Sequence, residues 1–308
     1  MDIKLTEFEW PTLGMMVLTY GLWATGTMIW DVSAVLSILM TALCIAQFSS
    51  LQHEVLHGHP FASRRLNEAL VFPALTLLMP YERFRDLHLQ HHFDPNLTDP
   101  FDDPESNFRD PDDWARLSRP VQWVLRLNNT LFGRMLVGPM ISCWSLIRDD
   151  WRLFRKGTPG IARAWGLNAL GVAMVMTWLF AVGSMPVWAY LIAAYMGYSL
   201  LKIRTYLEHR AHDVFRARTV VVEDRGPLSV LFLNNNFHVV HHMHPTTPWY
   251  RLPALYAARR DHFLRRNEAY VYRSYAEIFR LHFFRPKDPV PHPIYPVRKI
   301  DGDAPPLT

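Results

Sequence analysis

Histidines are the residues of this 308-residue chain whose number and spacing point most directly to chemistry. There are 15 of them, and most fall in four short clusters. In three clusters they occupy positions i and i+4, or i, i+3 and i+4, so a helix would carry them on one face. Neutral imidazole is a ligand for iron, zinc, copper and nickel. The helix-spaced residues are His53 and His57, then His88, His91 and His92, and finally His238, His241 and His242.

The number of these histidines predicts two metal ions rather than one. Eight imidazoles exceed the roughly four to six ligands that one such ion accepts. We also favour His209, from the remaining cluster, as a ligand, whereas the roles of His59, His212 and His244 stay open at this stage. The two cysteines lie in apolar runs and are too few for a disulfide scaffold or a cysteine-based metal site.

Carboxylates beside the clusters are candidates to orient the histidines. A histidine that binds a metal through one ring nitrogen usually donates the N–H of the other to an acceptor, which fixes the ring. For Asp94 and Asp99 a second interpretation stays open, because each precedes a proline in a run that is typical of turns. The candidate acceptors are Glu54, Asp94, Asp99 and Glu208.

Two long stretches with almost no charge indicate the helices that would hold the histidines. Between Glu9 and Glu54 the only charged residue is Asp31, and between Arg163 and Lys202 there is none. An ordinary soluble domain would not contain such stretches, and a membrane span needs about 20 mostly apolar residues. We therefore predict an all-α, multi-pass integral membrane protein with four spans in two tight hairpins. The predicted spans cover residues 10–30, 32–51, 164–183 and 186–203.

The placement of lysine and arginine predicts how the hairpins are oriented. The two hairpin turns carry neither residue, whereas the other helix ends carry many, such as Arg64 and Arg65 after the first hairpin and Lys202 and Arg204 after the second. We therefore expect both turns to face outward, with the termini and all four histidine clusters on the cytoplasmic side. The acidic N-terminal residues do not resemble a signal peptide, because a second span follows rather than a cleavage site.

Two further apolar stretches do not fit as spans. Residues 66–80 are too few and include a charged residue and a proline, so we expect a re-entrant or interfacial segment. Residues 121–147 are interrupted by polar side chains and are typical of an amphipathic helix pair at the membrane surface. Alternatively, either stretch spans, which would change the topology. In the predicted four-span topology, residues 1–288 form one domain with a cytoplasmic helical cap carrying histidine clusters, followed by a proline-rich tail at 289–308.

At these histidines the sequence resembles the membrane fatty-acid desaturase and hydroxylase superfamily, over roughly residues 10–260. The HxxxH, HxxHH and HxxHH boxes of that superfamily stand here as His53–His57, His88–His92 and His238–His242, and a further family histidine matches His209. The resemblance implies a four-span helical fold with a cytoplasmic, non-haem di-iron centre held by the nine histidines. His59 departs from the pattern, since a small residue is commoner at that position.

The resemblance also implies a reaction. With O2 as co-substrate, two iron ions would oxidise an unactivated C–H bond of a lipid or fatty acyl chain from the bilayer. We favour desaturation over hydroxylation, although the sequence does not show the substrate positioning that decides between them. Electrons would come from a separate ferredoxin or cytochrome b5, since the chain has no Gly-rich nucleotide motif and no cysteines for an iron–sulfur centre. The stretch 251–287, with nine basic and three acidic residues, would attract such a carrier or anionic lipid.

Two other interpretations stay open at this point. The run from His53 to His57 also matches HExxH, the zinc-protease motif in which Glu54 would be the general base. A single zinc ion, however, would leave most of the clustered histidines without a role. A transporter would need ionisable residues inside its spans, and the predicted spans contain none apart from Asp31 at a turn. We expect no nucleic-acid partner.

Overall fold

The computed structural model describes residues 8–93 and 96–295, and these residues are mostly helical. Within them the chain forms 14 α-helices and one parallel pair of two-residue strands. The elements in chain order are α1 (Trp10–Met28), α2 (Ala34–Leu56), α3 (Arg64–Leu70), α4 (Tyr81–Phe93), α5 (Pro111–Arg116), α6 (Arg119–Asn128), α7 (Leu131–Arg155), α8 (Ile161–Ala181), α9 (Val187–Thr205), β1 (Val221–Val222), α10 (Pro227–Leu231), α11 (His238–Met243), α12 (Leu252–Ala258), α13 (Arg260–Arg266), β2 (Val271–Tyr272) and α14 (Tyr275–His282).

The four predicted spans are present as helices, α1 followed by α2 and α8 followed by α9. Helices α1 and α2 pack closely, as a tight hairpin requires, whereas α8 and α9 are not a closely packed pair in the described part of the chain. Ser33 caps α2, because its hydroxyl accepts the backbone N–H of Leu36. The turns of the two hairpins lie together at one end of the bundle. The backbone N–H of Ser184 donates to the carbonyl of Thr27 at 3.0 Å, and the Trp178 indole donates to the hydroxyl of Thr27 at 2.9 Å. The helix ends that carry histidines therefore lie at the opposite end.

Helix α2 is the centre of the bundle and packs between α1 and α9. Its residues Ile45, Phe48 and Leu51 are fully buried. Close packing against α9 depends on Gly197, because a Cβ atom there would lie 2.8 Å from Cγ2 of Ile45 and 3.0 Å from the carbonyl oxygen of Ala42. Small residues at such contacts let membrane helices approach closely. This packing fixes the end of α2 that carries the first histidine pair.

Two helices, α2 and α8, are each long and apolar enough to cross a membrane. The pair α6 and α7 also meets this standard if it is counted as one span with a bend of 117°. The predicted spans at 10–30 and 186–203 are helical, as α1 and α9, but threonine, glycine and tyrosine make these two helices less apolar. The described residues therefore hold two or three candidate spans, and the four-span topology stays a prediction.

The segment at 66–80 is not one helix. Helix α3 ends at Leu70, and the turns that follow are buried against the long helices. Irregular backbone at membrane depth is tolerated where protein groups satisfy its carbonyls. The predicted re-entrant or interfacial position agrees with this arrangement but is not tested by it. Three side chains donate hydrogen bonds to backbone carbonyls of this segment. They are the hydroxyl of Tyr20 to Leu70 (2.7 Å), Nδ2 of Asn168 to Leu77 (2.8 Å) and the hydroxyl of Tyr190 to Leu75 (2.9 Å).

The stretch 121–147 forms a helix pair, as predicted, in α6 and α7. Thr130 caps α7 by accepting the backbone N–H of Gly133. Trp123 and Trp144 are exposed on this pair, and exposed tryptophans are typical of a membrane–water interface. The helices are confirmed, while their position at the membrane surface stays a prediction.

The residues after α9 form a cap at the histidine end of the bundle. The hydroxyl of Ser50 on α2 donates to the carbonyl of Leu231 on α10 at 2.9 Å, which ties the cap to the bundle. The cap is not purely helical, because Val221 pairs with Val271 in the β1–β2 ladder. The prediction of an all-α fold is therefore correct for the bundle and misses this short parallel pair.

Candidate metal centre

Four segments at one end of the bundle bring the histidine clusters together. His53 lies in the last turn of α2, and the second cluster lies on α4. His209 follows the end of α9, and the last cluster lies on α11. All nine predicted ligands converge there in two groups. The five-histidine group contains His53, His57, His88, His92 and His241, and the four-histidine group contains His91, His209, His238 and His242.

The ring nitrogens of each group face a common centre. All candidate ligand atoms of a group lie within 4.8 Å of one another. In the five-histidine group, Nε2 of His92 lies 3.0 Å from Nε2 of His88 and 3.0 Å from Nε2 of His241. The Nε2–Nε2 distances in the four-histidine group are 2.9 Å for His91 and His209, 3.2 Å for His209 and His238, and 3.2 Å for His238 and His242.

These distances fit the coordination of a metal ion. Two ligands at a right angle, each bonded at about 2.1 Å, lie about 3.0 Å apart. The Nε2 atoms of His53 and His57 are buried and have no hydrogen-bond partner. Buried polar atoms without a partner are costly, and a cation at the centre of the group would satisfy both. The donor set of neutral nitrogens suits iron, zinc or copper.

Most of the rings are also held in the protonation state that binds metals. A neutral imidazole keeps a lone pair for an ion, and at neutral pH the lowered pKa values leave these rings neutral. Burial, reinforced by the charge of neighbouring groups, lowers the pKa of His92, His209, His238, His241 and His242 well below its ordinary value.

Two carboxylates of the acid loop, as we name residues 96–110 between α4 and α5, orient rings of the second cluster. Oδ1 of Asp103 lies 2.7 Å from Nδ1 of His91, and Oε1 of Glu105 lies 2.8 Å from Nδ1 of His88. Each ring therefore turns its Nε2 toward its group. Burial would lower the pKa of His91, but Glu105 and Asp103 raise it to about 9. A metal ion in the four-histidine group would thus displace a proton from this ring.

The third box is oriented by an amide rather than a carboxylate. Oδ1 of Asn235 lies 3.1 Å from Nδ1 of His238. Glu208, a predicted acceptor, lies farther away, with its Oε1 4.0 Å from the same nitrogen and 3.1 Å from Nε of Arg204. Burial raises the pKa of Glu208, although Arg204 opposes that effect. Glu208 is therefore placed next to a box histidine and paired with a cation.

The other predicted acceptors have different partners. Glu54 accepts the backbone N–H of Trp249 at 3.2 Å. Oδ1 of Asp99 accepts the backbone N–H groups of Phe101 and Asp102 at 2.8 and 3.1 Å, which is the turn-forming arrangement that the sequence left open. In the described part of the chain neither carboxylate is hydrogen-bonded to a box histidine, and Asp94 lies outside that part.

Sequence reasoning missed Asp103, Glu105 and Asn235. The first two stand in an acidic run in which no spacing rule separates an acceptor from a solvated carboxylate. Asn235 could have been predicted from the sequence. It precedes His238 by three residues, and a helical or turn spacing brings such positions close. The side-chain amide of Asn236, its neighbour, donates to the carbonyl of Val222.

The three histidines without an assigned role lie outside both groups. Nδ1 of His59 lies 2.8 Å from a carboxylate oxygen of Glu9. Nδ1 of His212 accepts a backbone N–H at 3.1 Å, and the ring of His244 lies 6.3 Å from that of Phe263. Each of these three histidines therefore makes a hydrogen bond or a packing contact outside the two groups.

Among the described residues, the closest ring contact between the two groups joins His92 and His242. The rings of His92 and His242 stack, with centroids 4.2 Å apart and planes inclined by 16°. Helices α4 and α11 each contribute to both groups, so their histidines hold the two centres side by side. Among the described residues, both groups consist of histidine alone.

Comparisons with known proteins agree with this arrangement. A family model described as fatty acid desaturase matches residues 30–274, which include all nine histidines. The chain is similar to a beta-carotene ketolase from Paracoccus sp. strain N81106, with 26% identity over 247 residues that cover 76% of this chain and 84% of the ketolase. It is likewise similar to a beta-carotene ketolase from Paracoccus sp. strain PC1, with 26% identity over 243 residues that cover 73% and 83%.

Proposed function

Because the chain belongs to the fatty acid desaturase family, we propose that its nine converging histidines hold two iron ions and that, with O2, it oxidises an unactivated C–H bond of a lipid or fatty acyl chain. The observation that carries this proposal is the division of the nine histidines into two nitrogen-only groups. As a member of this family the protein is an oxidoreductase, which sets aside the zinc-protease and transporter interpretations of the sequence.

The residues around the centre would prepare it for this chemistry. The bound iron ions would activate O2, the oxidant, for attack on such a bond. Asp103 and Glu105 hold Nδ1 of their histidines, so that each ring keeps one orientation. Buried rings such as His53, His91 and His241 exclude water from the interior side of the groups. A fixed donor set would let the ions react without first rearranging their ligands.

We propose that α1, α2, α8 and α9 all cross the bilayer, with the metal centre and both termini on the cytoplasmic side. The meeting of the two hairpin turns at the far end supports this, as does the arginine and lysine content of the histidine end. Residues 1–288 would then work as one catalytic domain. Exposed apolar side chains on these helices, such as Val17, Leu39, Leu170 and Leu191, would face lipid.

An apolar substrate would reach the centre from the bilayer, and two outcomes of the oxidation have support. We favour desaturation, in which two hydrogens are removed, on the resemblance to fatty-acid desaturases. The two relatives named beta-carotene ketolase favour oxygen insertion instead, as the second candidate. Both outcomes need the same histidine groups, and the position of the substrate carbon would decide between them.

We propose that the electrons come from a separate carrier of the ferredoxin or cytochrome b5 type. Such carriers are usually acidic, and the cap presents basic side chains to solvent. If this surface is the docking site, the rate of electron transfer should fall as salt is raised. The exposed cations on and around α12 to α14 are Arg251, Arg259, Arg260, Arg265, Arg273, Arg280 and Arg285.

The test combines metal analysis with product analysis. Purified protein is assayed for iron, and host lipids are compared by mass spectrometry with and without the chain under 18O-labelled O2. Desaturation gives products that have lost two hydrogens and carry no label, whereas oxygen insertion gives labelled products. His91→Ala should abolish either product, and His282→Ala, outside both groups, should not. If iron-loaded protein with a reductant forms no O2-dependent product from any host lipid, the proposal is wrong.

A further inference from the structure

The segment 289–292, which we name the strap, lies across the acid loop. The backbone N–H of Arg109 donates to the carbonyl of Val290 at 2.9 Å, and the N–H of His292 donates to the carbonyl of Arg109 at 2.8 Å. The ring of His292 lies 4.7 Å from that of Phe108, and only 2% of His292 is exposed. The tail predicted to begin at Pro289 therefore starts with residues that are packed beside the metal centre.

The ring of His292 makes two hydrogen bonds, and one of them fixes its tautomer. Nδ1 accepts the backbone N–H of Ile294 at 3.3 Å, so this nitrogen carries no proton. In the neutral ring the proton must then be on Nε2, which donates to the hydroxyl of Thr98 at 3.1 Å. Burial lowers the pKa of His292 to about 4, which keeps the ring neutral at ordinary pH.

Thr98 is a residue of the acid loop whose conformation needs support. Its φ angle is 74°, a left-handed value that β-branched residues rarely adopt. Such a conformation costs on the order of 1–3 kcal/mol and persists only where the surroundings hold it. The hydroxyl of Ser106 donates to the Thr98 carbonyl at 2.8 Å, and the Thr98 N–H donates to Oδ2 of Asp103 at 2.8 Å. His292 holds the remaining polar group, the hydroxyl.

We propose that His292 is a positioning residue for the four-histidine group. His292 holds Thr98, Thr98 holds one carboxylate oxygen of Asp103, and the other oxygen orients His91. Without the strap, Thr98 can relax out of its left-handed conformation, and the loop then carries Asp103 away from the ring. This inference rests on the proposed function, since it requires that the group binds a metal ion. It adds the strap, from the far end of the described chain, to the metal centre.

The test measures metal affinity rather than turnover. His292→Phe keeps a ring against Phe108 and removes the donor, while His292→Gln supplies an amide N–H in its place. Each purified protein is stripped with a chelator and titrated anaerobically with Co2+, whose absorption reports histidine coordination. Loss of an acceptor beside a ligand typically weakens binding about 10- to 100-fold. We expect about a tenfold loss at one of two sites in His292→Phe, and affinity near that of the wild type in His292→Gln.

A matched control separates this effect from general destabilisation. Nε2 of His282 also bonds a hydroxyl, that of Tyr272, at 3.0 Å and away from the acid loop. His282→Phe therefore removes a bond of the same kind, and both Co2+ sites should keep the affinity of the wild type. If His292→Phe does not fold, Thr98→Val removes the hydroxyl while it keeps the β-branched shape, and the same loss is expected.

A double-mutant cycle with Asp103→Asn identifies the pathway. If His292 acts through Asp103, the two substitutions together should weaken binding no more than Asp103→Asn alone. Full Co2+ affinity in a folded His292→Phe or Thr98→Val protein, or losses that add, would overturn the role of the strap. A wild-type protein that binds no Co2+ at the histidines would instead overturn the proposed function, so the two failures are distinct.

Discussion

Replacing Glu105 should weaken metal binding at the five-histidine group. Oε1 of this residue lies 2.8 Å from Nδ1 of His88, and its side chain is 30% exposed. Burial alone would raise its pKa, but His88 and His91 hold the pKa of this carboxyl well below its usual range. The group is therefore charged at neutral pH. Glu105→Gln keeps the shape and one acceptor oxygen but removes the charge, while Glu105→Ala removes the acceptor as well.

The size of the effect follows from the strength of the bond to His88. A hydrogen bond to a charged group contributes about 1.5–3 kcal/mol and a neutral one about 0.5–1.5 kcal/mol, a difference of about 1–1.5 kcal/mol. At about 1.4 kcal/mol for each factor of ten, Glu105→Gln should weaken binding about fivefold to twelvefold. Glu105→Ala should weaken it about 10- to 100-fold. Water can reach the partly exposed side chain, so the lower end of each range is expected.

The measurement is a competition for Fe2+ between the purified protein and a chelator, without O2. Glu68→Gln is the matched control, because Glu68 is 26% exposed and pairs with Arg64 and Arg85 rather than with a histidine. Its metal affinity should equal that of the wild type. Unchanged affinity at both groups in Glu105→Ala would refute the argument that this carboxylate orients His88.

Three further outcomes can be checked. His209→Ala and His241→Ala should each lower bound iron from about two ions per chain to about one, since each removes a ligand from a single group; iron analysis that finds both ions retained would contradict this. Gly197→Val should lower Tm, because overpacking against α2 costs about 1–3 kcal/mol. Gly166→Ala should not lower Tm, because an added Cβ atom there would have no atom within 4 Å. Equal Tm values for these two variants would contradict the packing argument. Burial lowers the pKa of His292 from 6.5 to about 4, so its contribution to stability is complete above pH 6.5 and is lost as the pH falls toward 4. His292→Gln should reduce the fall of Tm over that range, and an identical pH profile would contradict this account.

Local patterns were enough to predict the long helices and the histidines that meet at their ends. Charge-free stretches of about 20 residues predict helices of membrane length, and the observed helices α1, α2, α8 and α9 lie within a few residues of those positions. The helical spacing of His88, His91 and His92 predicts a shared face. Hydropathy could not establish whether all four helices cross the bilayer, because α1 and α9 mix apolar residues with threonine, glycine and tyrosine.

Contacts between distant segments could not be predicted, because no local pattern encodes them. Asp103 reaches His91 only through a turn in which Thr98 has a left-handed conformation, and nothing in the composition of the acid loop indicates that turn. The strands β1 and β2 have two residues each, too short for an alternating pattern, and depend on each other across about 50 residues. The strap likewise contacts a loop nearly 200 residues earlier in the chain.

The face-to-face contact between His92 and His242 bears on how charge would be shared across the centre. Soluble di-iron bundles use glutamates from several helices as ligands, whereas the two groups here, within the described residues, contain only imidazoles. Two aromatic rings in van der Waals contact, one from each group, would offer a direct route for an electron between two bound ions. We therefore expect the oxidation state of an ion held by one group to shift the reduction potential of an ion held by the other.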